Sequence, residues 1–189
     1  MPRTFAQGVF GLVGFAWTMW FAVGCLLDRA NNPTAALSAK TLVALGALSL
    51  PVRGPGDALH GLTMWLPHVD AIHLASNLVV LLFVACVWPP GRNPLLLLVC
   101  GVLGASIAAL VAYRHVPTVC CGGSGVLLSW LVFVFFFQTR AWIRAVAFVT
   151  IGLLLVGGMS LTGDTAAHVG GLLAGLLCLL LFRKRPITT

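Results

Sequence analysis

The chain has 189 residues, of which 60% are Ala, Val, Ile, Leu, Met, Phe, Trp, Tyr or Cys and only 8% are charged, against about a quarter in soluble domains. With 11 basic and 4 acidic residues it has too few charges to coat a water-facing surface, and the same composition excludes intrinsic disorder. What remains is an all-α, polytopic membrane protein: the apolar stretches are continuous instead of alternating as in a barrel, and six spans of about 20 residues leave no room for a separate soluble domain.

The first predicted span is Phe5 to Leu27, too long for the apolar region of a cleaved signal and so expected to stay as an anchor. A long connection, 28–70, follows. It contains an apolar patch, Thr41 to Val52, interrupted by Gly46 and Pro51 and too short to cross; a place at the membrane interface is expected for it. The second span is Ala71 to Trp88, ended by Pro89-Pro90-Gly91-Arg92-Asn93-Pro94. The third is Leu95 to Tyr113, followed by a loop from Arg114 to Cys121. The fourth is Gly122 to Phe137, with a turn through Arg140 behind it. The fifth is Trp142 to Met159, and after a loop, Ser160 to Asp164, the sixth is Thr165 to Phe182. The whole chain reads as one six-helix membrane domain.

Orientation follows from Lys and Arg. With the N-terminus inside, the inner side carries seven (Arg3, Arg92, Arg140, Arg144, Arg183, Lys184, Arg185) and the outer side four (Arg29, Lys40, Arg53, Arg114). All the acids (Asp28, Asp57, Asp70, Asp164) also fall outside. Both termini are therefore expected in the cytoplasm, in a membrane of the bacterial inner-membrane type. The trio Arg183-Lys184-Arg185 reads as a membrane-flanking anchor and not as a nucleic-acid site. Cys25, Cys86, Cys100, Cys120, Cys121 and Cys178 form neither a disulfide framework nor a CxxC metal pattern, and no metal or cofactor is expected.

Polar groups at membrane depth need a reason, because they are costly there. His73 and Asn77 share a face of the second span at i and i+4. Ser124 opens the fourth span within Cys121-Gly122-Gly123-Ser124-Gly125, and His168 opens the sixth. The even spans run from outside to inside, so all four residues lie near the outer helix ends at similar depth. Ala167, Gly171 and Gly175 make a ridge of small residues along the sixth span, and Gly122 and Gly125 flank the serine as further packing support. A ridge of that kind admits a close neighbour. If the neighbour is the fourth span, Ser124 meets His168, the minimal activated hydroxyl nucleophile. His73 and Asn77 are then candidate donors to an oxyanion, with the Ser124 backbone N–H, and the helix N-termini add positive potential on the same side.

These residues resemble the rhomboid family of intramembrane serine proteases. His73-Leu74-Ala75-Ser76-Asn77 is similar to its HxxxN signature, Gly122-Gly123-Ser124-Gly125 to its GxSG, and the stretch Ala167-His168-Val169-Gly170-Gly171-Leu172-Leu173-Ala174-Gly175 to its AHxxGLxxG. The resemblance implies a six-helix core, a Ser124–His168 dyad, no metal, and membrane-anchored protein substrates cut in or beside a transmembrane segment. His68 matches a histidine common just before the second span. Three positions depart from the family pattern. Leu59-His60 stand where Trp-Arg is frequent, Leu128 where a tyrosine often follows the serine, and Trp88-Pro89-Pro90 where an acid is common.

Two other classes compete with this reading. A catalytically inactive relative that binds membrane-protein clients would keep the fold without needing both Ser124 and His168. A small transporter would favour repeats or broken helices at mid-depth, and no repeat is evident. A zinc protease of the HExxH type is excluded because the chain has no glutamate.

Overall fold

A computed structural model describes residues 3–28, 36–161 and 165–182. Arg29, Asp164 and the trio Arg183-Lys184-Arg185 lie outside the described residues. The long helices are α1 (Arg3–Asp28), α4 (Ala71–Val87), α5 (Pro94–Ala112), α6 (Ser124–Phe137), α7 (Ala141–Leu161) and α8 (Thr165–Phe182). Between α1 and α4 lie α2 (Ala39–Ala44), strand β1 (Leu48–Leu50), α3 (Pro55–Leu59) and a 3-10 turn at His60–Leu62. Strand β2 (Thr118–Cys120) sits between α5 and α6. The architecture is the all-α membrane bundle read from composition, with one short ribbon added.

Helix α6 is the axis. From Ser124 to Val134 every residue is buried, a place open to a helix with no polar face. Its 14 residues span about 21 Å, well under the roughly 30 Å hydrocarbon layer. Around it, aromatic side chains fill the half of the bundle away from Ser124. Phe10 meets Trp88 at 5.2 Å and Trp130 at 5.0 Å, both edge-on. The buried Trp130 indole donates to the Pro94 carbonyl (3.1 Å).

Small residues set the approach of α8. A Cβ on Gly171 would lie 2.6 Å from the Gly125 carbonyl carbon and 2.9 Å from its Cα, and a Cβ on Gly175 would lie 2.8 Å from the Ser129 carbonyl oxygen. Gly104 and Gly170 bring α5 and α8 together in the same way. Backbone therefore packs on backbone along both seams.

The segment after α1 is held by polar bonds. The buried Asp28 carboxylate accepts from the Ser38 backbone N–H (2.9 Å), the Ser38 hydroxyl (2.8 Å) and the Thr41 hydroxyl (2.8 Å), while the Ser38 side chain caps α2. The Trp20 indole donates to the Leu45 carbonyl (2.7 Å). β1 pairs antiparallel with β2, with Leu48 opposite Cys120 and Leu50 opposite Thr118. The apolar patch expected at the membrane interface is thus folded into the protein, with Leu42, Leu45, Leu48 and Leu50 buried. Its hydrophobicity serves a local core under the ribbon.

Candidate active site

The site is assembled from four segments. Asp70 caps α4, its carboxylate accepting from the His73 backbone N–H at 2.7 Å, and this sets where the helix begins. From that start His73 and Asn77 face inward one turn apart; Asn77 is buried and His73 half-buried.

The turn before α6 is fixed at Gly122. Its φ of +110° is open to glycine and strained for other residues, its N–H donates to the Met64 carbonyl (2.8 Å), and a Cβ there would lie 2.6 Å from His73 Cε1. Gly122 therefore belongs to the turn against His73 and not to a helix seam. The helix begins at Ser124, two residues later than the fourth predicted span, because a left-handed residue cannot be its first turn. The Ser124 N–H is among the amides at the helix N-terminus that have no intrahelical acceptor, where the dipole favours negative charge.

On α8, Ala167 and Gly171 bring the helix against Gly125, and His168 is placed beside Ser124. The Ser124 hydroxyl hydrogen-bonds His168 Nε2, and both residues are buried. With Nε2 accepting from the hydroxyl, the neutral imidazole carries its proton on Nδ1, which has no partner among the described residues.

His68 has a larger part than its motif position suggested. It is fully buried. Its Nδ1–H donates to the Leu66 carbonyl (3.0 Å), so Nε2 is left as an acceptor and takes a hydrogen bond from the Asn77 amide (3.0 Å). Burial holds His68 well below the usual histidine range, at about 3, with the adjacent His73 adding to the effect and the Leu66 bond and Asp70 opposing it. It is neutral at any physiological pH, so the bond to Asn77 persists. His68 packs edge-on to His73 at 5.1 Å. One N–H of the Asn77 amide is thus committed to His68 and the other is left over. The spacing His68-x4-His73 was the available sequence signal.

A small pocket opens beside the serine, lined by Gly61, Met64, Ala105, Ser106, Gly122 and Ser124 among others. The Ser106 hydroxyl bonds the Gly61 carbonyl there, tying α5 to the segment between α1 and α4. Among the described residues no group of three or more His, Cys, Asp or Glu side chains is arranged to hold a metal.

The structure thus brings Ser124, His168, His73 and Asn77 to one end of the bundle, with Gly125, Ala167, Gly171 and Gly175 in the α6–α8 seam. A buried hydroxyl on a neutral imidazole at a helix N-terminus can act as a nucleophile with a base. Among known proteins, a family model described as Rhomboid domain matches residues 55–185, more than half of the chain. No curated protein and no solved structure matches.

Proposed function

Because the chain belongs to the rhomboid family, and is with it an integral membrane protein, we propose that it is an intramembrane serine protease that hydrolyses peptide bonds in or next to transmembrane segments of membrane-anchored proteins. One observation carries the proposal: the Ser124 hydroxyl is hydrogen-bonded to His168 Nε2 at the N-terminus of a buried helix. Ser124 Oγ attacks the scissile carbonyl while His168 takes its proton. The oxyanion is met by the Ser124 N–H, with the His73 ring and the uncommitted Asn77 N–H beside it. His168 then protonates the leaving amine, and water resolves the acyl-enzyme. A panel of single-span reporters incubated with the detergent-purified protein tests this directly. Cleavage together with fluorophosphonate labelling at Ser124 is expected; labelling of no residue and cleavage of no reporter would leave a client-binding relative instead.

Asn77→Ala is expected to slow turnover by less than the roughly hundredfold cost of losing one well-placed oxyanion donor, since the Ser124 N–H and His73 still donate. The loss should fall on kcat, because the charge exists only near the transition state. His73→Ala should behave alike, and the double variant should lose less than the product. A rise in KM alone for Asn77→Ala would make that residue a docking or structural group.

Both termini are proposed to be cytoplasmic, with the active site opening outward, on the seven-to-four excess of inner Lys and Arg. An impermeant thiol reagent on intact cells, with native cysteines controlled for, should label Ala35→Cys and not Ile187→Cys. The reverse pattern overturns the orientation.

A further inference from the structure

The family match begins at residue 55, after α1, and none of the three motifs draws on α1. Yet α1 sends one side chain to the site. Trp17 is fully buried. Its ring meets His68 edge-on at 5.2 Å and Trp65 at 6.4 Å. It also lies under the turn that precedes the serine: a Cβ built on Gly123 would fall 2.6 Å from Trp17 Cη2 and 2.7 Å from Cε2. The backbone at Gly123, with φ −81° and ψ −2°, is right-handed and does not itself call for glycine. The indole, and not the backbone, is what denies a side chain at this position, the one that the GxSG pattern leaves variable.

Trp17 therefore touches both halves of the proposed oxyanion arrangement. Through Gly123 it bears on the peptide that leads into the Ser124 N–H. Through His68 it bears on the partner of the Asn77 amide. Trp17 Nε1 is buried with no partner among the described residues, so the ring is held by shape and supports by shape. An indole is large and stiff, with two rotatable bonds, and a donor displaced by about an ångström can cost about a hundredfold in rate.

Resting on the protease reading above, we propose that Trp17 is a positioning residue for catalysis: α1 uses its indole as the floor on which the Gly122–Gly123 turn and the His68–Asn77 pair are set in mutual register. The first helix is then part of the catalytic unit and not only an anchor.

The test is the rate at which a fluorophosphonate acylates Ser124, which needs no protein substrate, read beside thermal stability and the kcat and KM of reporter cleavage. Trp17→Leu should slow acylation and lower kcat about tenfold or more with little change in KM. Trp17→Phe, which keeps an aromatic floor, should stay within about threefold of wild type. Phe10→Leu is the control: it lies two turns earlier on the same helix, in the same core, packed on Trp88 and Trp130. It should lose comparable stability and keep the acylation rate. Gly123→Ala removes nothing from the core, so it carries the test even if Trp17→Leu fails to fold. It should slow acylation about tenfold or more in the wild-type background and by less than about twofold when combined with Trp17→Phe or Trp17→Leu, where the floor is smaller.

An unchanged acylation rate in Gly123→Ala, losses that simply multiply in the double variants, or an equal loss in Phe10→Leu would overturn the proposal. Absence of acylation in the wild type is a different result: it removes the protease reading, and this inference with it.

Discussion

Ser124→Ala and His168→Ala are each expected to reduce cleavage by at least about a thousandfold, and the double variant should be little worse than either alone. Groups that act as one nucleophile-and-base unit are lost together when one member is lost. The fluorophosphonate separates their roles. Ser124→Ala has no oxygen to react and should not label at all. His168→Ala keeps the hydroxyl without its acceptor and should label slowly. Folding is expected to survive both changes. The two side chains are buried and bonded to each other, so removing one leaves the other short of a partner, at a cost of about 1–3 kcal/mol. A thermal melt in detergent checks that loss, and normal cleavage by Ser124→Ala would end the serine-protease reading.

Composition was enough for the class of fold, because a chain with so few charges has no soluble alternative. The motif residues could be grouped because each opens or lies near the N-terminal end of an even-numbered span, and the structure brings those ends together at one end of the bundle. Other parts left no local trace. β1 and β2 are three residues each and lie far apart in the chain, with Leu48 opposite Cys120; their strand character comes from that distant partner, and no alternation over so few residues announces it. The patch around Leu42 to Leu50 has the hydrophobicity of an interfacial segment, and only the tertiary fold decides that its apolar groups face a core. α1 is a third case. Its outward side also carries large apolar residues, with Leu12, Phe15 and Met19 exposed, so hydrophobicity by itself does not single out the packed face. Trp17 and Trp20 look alike in sequence, but Trp17 is 0% exposed and Trp20 is 38% exposed. Which of them reaches the site is settled by where α4 and the α6 turn come to rest against the helix.

Gly171→Ala is the substitution expected to damage stability and activity together. The new methyl would be driven into the Gly125 peptide, 2.6 Å from its carbonyl carbon, and neither neighbour is a flexible side chain that could swing away. The helices must part. Overpacking of this kind costs about 1–3 kcal/mol. The rate loss follows from where the wedge enters. Gly125 directly follows Ser124, and Gly171 lies one turn beyond His168 on the same face of α8, so the seam that is forced open is the one that sets the Ser124–His168 bond. A shift of about an ångström between nucleophile and base can cost about a hundredfold, which would appear in kcat and in the fluorophosphonate rate alike. Gly175→Ala makes the matching comparison. Its Cβ would meet the Ser129 backbone, 2.8 Å from the carbonyl oxygen, one turn deeper in the same seam. It should lower the melting temperature by a similar amount while costing less in rate, because α8 can tilt about the intact contact at Gly171. Equal rate losses in the two variants would show that the bundle responds as a whole. A Gly171→Ala protein with unchanged kcat would show that the dyad does not depend on the close approach of α6 and α8.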